Sequence, residues 1–350
     1  MITTLANGQT AENSKLSSTP CMDVLHLFTA PNVPAFGPHE IEAPVNWKMT
    51  ESPAGLPGKG LAQHPMLYVG ENYDKMFLVN EGKVIWTYST GTSYEYDDVW
   101  MLSNGNILYT RMEWIEMITP DKKSVWRYNC KKAPGTTEHT EIHTCQPLGL
   151  DRVMFVENGL PPKLKIVNIK TGVTEIEHVL PSQKNQNPNS IHGQFRRARV
   201  TAQGTYLISV FGMGYVAEYD KDFKEIWRYD VKQPWAAIRL KNGNTLITNE
   251  ADHVTLEVNP KKEIVWQFNT KTDLPPEYKL ASAPQTATRL ANGNTILTSR
   301  GDNKSPQLIE VTPDKKVVWV LQDWTNLAGA TAVQILDDPG IPEVPGESEH

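Results

Sequence analysis

The sequence predicts an all-β protein, a β-propeller of four-stranded blades. Three observations predict it. A hairpin ending in tryptophan recurs along the chain, an Asn-Gly hairpin alternates with it, and copies return after about 45 residues, the period of such a blade.

The first element is a charged turn followed by an apolar pair and Trp. It occurs as Glu81-Gly-Lys-Val-Ile-Trp86, Asp121-Lys-Lys-Ser-Val-Trp126, Asp222-Phe-Lys-Glu-Ile-Trp227, Lys261-Lys-Glu-Ile-Val-Trp266 and Asp314-Lys-Lys-Val-Val-Trp319. A copy at Lys170-Thr-Gly-Val-Thr-Glu-Ile-Glu177 lacks the Trp. One Trp per blade at a fixed position reads as packing between blades. The second element reads Trp100-Met-Leu-Ser-Asn-Gly-Asn-Ile-Leu108, Ile238-Arg-Leu-Lys-Asn-Gly-Asn-Thr-Leu246 and Thr288-Arg-Leu-Ala-Asn-Gly-Asn-Thr-Ile296, with variants at Ala198–Leu207 and Gln146–Met154. Asn-Gly between β-rich runs predicts a two-residue turn in which both central residues take positive φ. The repeated Arg199, Arg239 and Arg289 share one position and read as structural.

Six repeats are countable. Thr331-Ala-Val-Gln-Ile-Leu336 has the pattern of a first strand with no partner after it, and Met66–Trp86 has strands two to four with none before. Joining them closes the ring across the termini and removes a free edge. The expected organisation is an N-terminal extension over 1–60, a propeller over 61–340 and a tail over 341–350. The Pro-rich stretch Cys21–Lys59 has room for a degenerate seventh blade.

Charge excludes some functions. With 34 Lys and Arg against 40 Asp and Glu, the formal net charge is −6, and no basic stripe for nucleic acid is visible. No apolar run reaches the length of a membrane span. Met1–Pro20 lacks the pattern of a secretory signal, which fits either a cytoplasmic protein or a chain without its leader. Cys21, Cys130 and Cys145 read as structural thiols, and a Cys130–Cys145 disulfide stays open. No phosphate-binding glycine loop or dinucleotide fingerprint occurs, so no cofactor is expected.

In a repeat protein, function sits where the repeat is broken. Aligned on the Asn-Gly turn, the starts of the innermost strands read Asp97, His143, Phe195, Trp235, Gln285 and Ala330, then Asp98, Thr144, Arg196, Ala236, Thr286 and Thr331. These positions ring one mouth of the propeller, where small molecules bind on this fold. Adjacent loops add Tyr94-Glu-Tyr-Asp-Asp98, Glu138-His-Thr-Glu-Ile-His143 and Ser190-Ile-His-Gly-Gln-Phe-Arg-Arg197. Arg111, Asn158, Asn249, Glu250, Asp252, Arg300 and Asp302 follow the second strands. His139 and His143 are spaced for a metal only on a helix, so no metal is expected. The carboxylates Asp97 or Asp98 against Glu250 or Asp252 suit glycoside hydrolysis by type. β-Elimination from a uronate needs cations to neutralise the sugar carboxylate and a His or Tyr to take a proton. Arg196, Arg197, Arg300, His143, His192 and Tyr96 fit those roles. Tyr94, Tyr96, Trp114 and Trp235 offer aromatic faces for a sugar.

Several stretches resemble a family of bacterial propellers from polysaccharide-degrading systems. They are Leu61-Ala-Gln-His-Pro-Met-Leu-Tyr-Val-Gly70, Asp97-Asp-Val-Trp-Met-Leu-Ser-Asn-Gly-Asn106, Ile191-His-Gly-Gln-Phe-Arg-Arg197, Pro234-Trp-Ala-Ala-Ile-Arg239 and Pro339–His350. The family holds α-L-rhamnosidases acting on rhamnosyl-α-1,4-glucuronate ends of arabinogalactan proteins, with related rhamnose–glucuronate lyases. The resemblance implies seven blades, a secreted or periplasmic protein and an acidic oligosaccharide or polysaccharide as partner. It also implies a catalytic His early in the propeller, on the face opposite the mouth, for which His64 and Gln63 are the candidates. Three functions follow as expectations: exo-α-L-rhamnosidase, rhamnose–glucuronate lyase, and inactive glycan-binding homologue. Substrate contacts are expected from Tyr96, Asp97, Arg196, Arg197, Trp235, Gln285 and Arg300, on a monomer.

Overall fold

The computed structural model describes residues 19–41, 51–71, 75–91, 95–130, 140–182 and 188–350. Among them lie six antiparallel sheets of four strands each. The innermost strands are Gly329–Ile335, Val99–Met101, Glu141–Leu148, Ala198–Val200, Pro234–Arg239 and Ala287–Arg289, which we use to number blades one to six. They are nearly all buried, whereas the outermost strands of blades two to five are mostly exposed or half-buried. The fold is therefore a six-bladed propeller. In blade one, the late strand Gly329–Ile335 pairs with Met66–Glu71 in antiparallel register, Tyr68 facing Val333. No seventh sheet occurs among the described residues. The described part of Cys21–Lys59 forms short helical turns instead, and Cys21, Leu25 and Phe28 pack against Trp86 and Tyr88.

Both turn types have a visible local cause. Gly105, Gly243 and Gly293 take positive φ, but the asparagine before each does not, so the expected two-residue turn is not the one formed. The backbone N–H of Leu102 bonds to the Asn106 carbonyl, and that of Gly105 to the Leu102 carbonyl, which makes a longer loop with glycine in the left-handed position. The Asn104 side chain then accepts the Asn106 N–H at 3.0 Å, with the same bond at Asn242 and Asn292. In the charged turns, Lys122, Phe223, Lys262 and Lys315 hold φ of 60–70°. Every blade also shifts register between its third and fourth strands, at the approach to this turn.

The recurrent tryptophans join neighbouring blades. The indole N–H of Trp86 donates to the Pro120 carbonyl, and that of Trp266 to Pro313. A second recurrent contact faces the first. Glu218 and Glu257, each across the strand from a blade Trp, bind Arg239 and Arg289 of the next blade. Those guanidiniums lie over Trp227 and Trp266, 5.2 and 5.4 Å from the ring centroids.

At the axis the hub is Asp98, whose carboxylate is fully buried. It accepts Arg199 through both oxygens at 2.8 and 3.0 Å, Arg197 at 3.3 Å and the Cys145 N–H at 3.1 Å. Burial opposes its charge, but Arg197 and Arg199 hold its pKa below the ordinary value. The tail 337–350 crosses the hairpin face beneath it. Gly149 donates to Glu343, Ser103 bonds Glu343, Arg289 donates to the Glu349 carbonyl, and the Arg199 Nε donates to the His350 main-chain oxygen at 3.0 Å. The His350 ring is buried edge-on against Trp100 and donates to the Val99 carbonyl. Burial, with Arg197 and Arg199, presses its pKa down to about 3, so it stays neutral. Cys21 and Cys145 are buried free thiols and Cys130 is a half-buried one, so the Cys130–Cys145 disulfide is not formed.

Replacing Asp98 by Ala leaves two buried guanidiniums without their carboxylate. Denaturant unfolding of Asp98→Ala should show a loss of about 3–5 kcal/mol; an unchanged midpoint would contradict the hub assignment.

Candidate functional site

The site is the mouth opposite the tail. Glu141 and His143 stand two residues apart on one strand and so project to the same side. That strand shifts register between Ile142 and Cys145, so His143 and Thr144 stand at a bulge. The loop 188–197 brings His192 and Arg196. Asn158 anchors it through the Ile191 and Phe195 carbonyls, and Gln194 exchanges two hydrogen bonds with Gly159.

The central group is a buried imidazole between two carboxylates. His143 Nδ1 lies 2.8 Å from Asp97, and its Nε2 lies 2.9 Å from Glu141. The same Glu141 oxygen lies 2.8 Å from His192 Nδ1, and the two rings meet edge to face at 4.9 Å. Burial and Arg196 work against charge on His143, but Asp97 and Glu141 outweigh them and raise its pKa. His143 is thus the proton-rich member, donating to both carboxylates. The His192 side chain keeps 44% of its surface exposed. With Nδ1–H donated to Glu141, its Nε2 carries a lone pair (a tautomer assigned from the hydrogen-bond pattern). Burial, and after it Asp97, raise the pKa of Glu95.

Arg196 supplies the buried cation. Its guanidinium lies 4.4 Å from the Trp235 ring centroid and 5.2 Å from that of Phe211, and it donates to the His192 carbonyl. Its Nε is buried and has no partner among the described residues. Burial lowers its pKa, while Asp97, Glu95, Glu141 and Glu250 oppose that. Beyond Glu250, Arg300 follows at 3.9 Å. Charges therefore alternate across the mouth.

The structure brings Asp97, His143, His192 and Arg196 together, but it moves other candidates. Tyr96 is fully buried in the core, its hydroxyl 3.0 Å from Thr90 Oγ1 and its ring under Arg111, so it offers no face to a ligand. Arg197 is buried below the mouth, against Asp98 and the Asp97 carbonyl. Trp235 is 6% exposed and holds Arg196 rather than presenting a sugar platform. Gln285 is buried with its Oε1 unpartnered among the described residues. Asn249, Asp252 and Asp302 close local turns. Tyr94, Glu138 and His139 lie outside the described residues. Sequence columns missed Glu95 and Glu141; the alternation Glu141-x-His143 on a strand was the available signal.

His64 lies on the hairpin face, away from this cluster. It is 3.0 Å from Glu310, 3.7 Å from Asp337 and edge-on to Trp319 at 5.1 Å. Glu310 and Trp319 are the blade-six members of the recurrent contact, so His64 stands where Arg239 and Arg289 stand elsewhere. A cavity of about 220 Å³ opens beside it, lined by Asp337, Asp338 and Asn292. Gln63 caps a short turn, accepting the Lys59 N–H. Glu95, His143 and His192 each place one ligand atom within 4.8 Å of the others, the spacing a metal ion needs.

These features define a β-propeller with an acid–base cluster at one mouth. No family model matches the chain, and no curated protein matches it in sequence. Solved structures do. A protein of unknown function from Bacteroides caccae has a TM-score of 0.65 and 22% identity, over 77% of this chain and 97% of that one. A catalytically inactive virginiamycin B lyase from Staphylococcus aureus, solved with quinupristin, scores 0.50 at 10% identity, over 75% and 87%. A streptogramin B lyase structure scores 0.51 at 11% identity, over 76% and 86%. At such identities the likeness shows the fold alone. The rhamnosidase resemblance finds no counterpart among these matches. Among the described residues, no helix is long and apolar enough to cross a membrane.

Burial lowers the affinity of His64 for its proton, but Asp337 and Glu310 overcome this and hold its pKa up to about 9, above the ordinary 6.5. The folded protein binds that proton more tightly than the unfolded chain, so the gain is complete below about pH 6.5 and is lost as pH rises through about 9. Thermal melting of the native protein and His64→Ala should show a gap that is widest near pH 6 and narrows toward pH 10. A gap independent of pH would contradict the ion-pair role.

Proposed function

We propose that the mouth is a β-elimination site for uronate-bearing oligosaccharides, with rhamnosyl-α-1,4-glucuronate ends as the substrate class. One observation carries the reading: a histidine oriented by a carboxylate, Glu141–His192, keeps 44% of its side chain exposed beside the buried Arg196. This is the arrangement needed to take a proton from carbon next to a carboxylate. Arg196 pairs with the uronate carboxylate and stabilises the charge that builds on it. His192 Nε2 takes the C5 proton. The C5–H electron pair becomes the C4=C5 double bond, the C4–O bond breaks, and the leaving oxygen is protonated by Glu95. His143 locks Glu141 and Asp97 in place. Two of the fold neighbours are lyases by name, but the reading rests on the site.

The hydrolytic reading places the chemistry at His64. It draws less support, because His64 occupies the position of a structural arginine. Acidic polysaccharide as partner fits a protein working outside the cytoplasm.

Incubation with gum arabic or a rhamnosyl-glucuronate oligosaccharide should release rhamnose together with the ultraviolet absorbance of an unsaturated uronate. His192→Ala should lower kcat by about 10²–10⁴-fold. Rhamnose release without that absorbance would overturn elimination in favour of hydrolysis, and no release from folded protein would overturn both.

A further inference from the structure

We infer that the mouth cluster is also a binding site for a divalent transition-metal ion, held by Glu95 and one ring nitrogen each of His143 and His192. Three donors lie within 4.8 Å of one another, close enough to share one ion at bond lengths of about 2.0–2.2 Å. Two nitrogens and a carboxylate oxygen suit Zn²⁺ and its neighbours rather than Mg²⁺ or Ca²⁺.

A second observation points the same way. Each ring has a carboxylate behind it, Asp97 at 2.8 Å from His143 Nδ1 and Glu141 at 2.8 Å from His192 Nδ1. Histidines that bind metals are commonly oriented this way, the outer carboxylate fixing the ring and raising its basicity. Without a metal, His143 also shares a proton with Glu141 at 2.9 Å. The ion takes the place of that proton: His143 Nε2 releases Glu141 and turns its lone pair to the metal, while both outer carboxylates keep their contacts. The carboxylates Glu95, Asp97 and Glu141 offset the charge of the ion and of nearby Arg196.

The consequence rests on the reading above. A metal on the His192 ring removes the lone pair that takes the substrate proton, so Zn²⁺ inhibits elimination and a chelator restores it.

The test is calorimetric titration of the full chain with Zn²⁺ at pH 7, without substrate, repeated in buffers of different ionisation enthalpy. Binding of one ion with release of protons is expected, as is a visible absorption band with Co²⁺. Glu95→Gln and His192→Asn should each weaken binding by about tenfold or more. Both positions are partly exposed, so folding is checked by melting temperature. No binding up to millimolar Zn²⁺ overturns the proposal, as does binding unchanged in both variants. Because substrate is absent, these outcomes are independent of whether the lyase reading holds.

Discussion

The carboxylate of Asp98 is the interaction on which the centre of this propeller depends. It gathers two guanidiniums from blade four and a backbone N–H from blade three, and its own strand belongs to blade two. A buried ion cluster of this kind gives little net stability over an apolar one. What it provides is position. Arg197 also donates to the carbonyl of Asp97, so the residue that orients His143 is held from beneath. The floor of the mouth and the frame of the propeller are the same set of bonds.

A second constraint joins blades four, five and six. Glu218 with Arg239, and Glu257 with Arg289, repeat one contact between blades, each cation over a tryptophan. In the gap between blades six and one, the innermost strand comes from late in the chain and carries no arginine there. His64 supplies the cation from the N-terminal side, against Glu310 and Trp319. A histidine is a weaker and pH-dependent substitute, so this gap differs chemically from those between blades four and five and between five and six.

The blades were legible because each repeats a pattern that local chemistry enforces: glycine at a left-handed position, and Trp opposite a gap it must fill. The number of blades was legible by counting, and resemblance to another family suggested one more than the described strands contain. The turn type was not legible, because Asn104, Asn242 and Asn292 serve through side-chain bonds rather than unusual φ. The column alignment put Asp97 and His143 in one column and Arg196 in the next, and the three meet at the mouth. It did not separate Arg196 from Arg197, because adjacent residues on a chain leaving a loop point to opposite sides and burial decides which one faces the mouth. Tyr96 and Trp235 misled for a related reason. Aromatic rings near a site are as useful for holding a guanidinium as for meeting a sugar, and sequence carries no sign of which.

The tail closes the propeller axis on the hairpin face. Residues 337–350 span the hairpin face, and the ring of His350 fills the floor under Asp98. The charged cluster at the mouth and the hairpin end of the axis are therefore separated by the Asp98 ion cluster and the His350 ring.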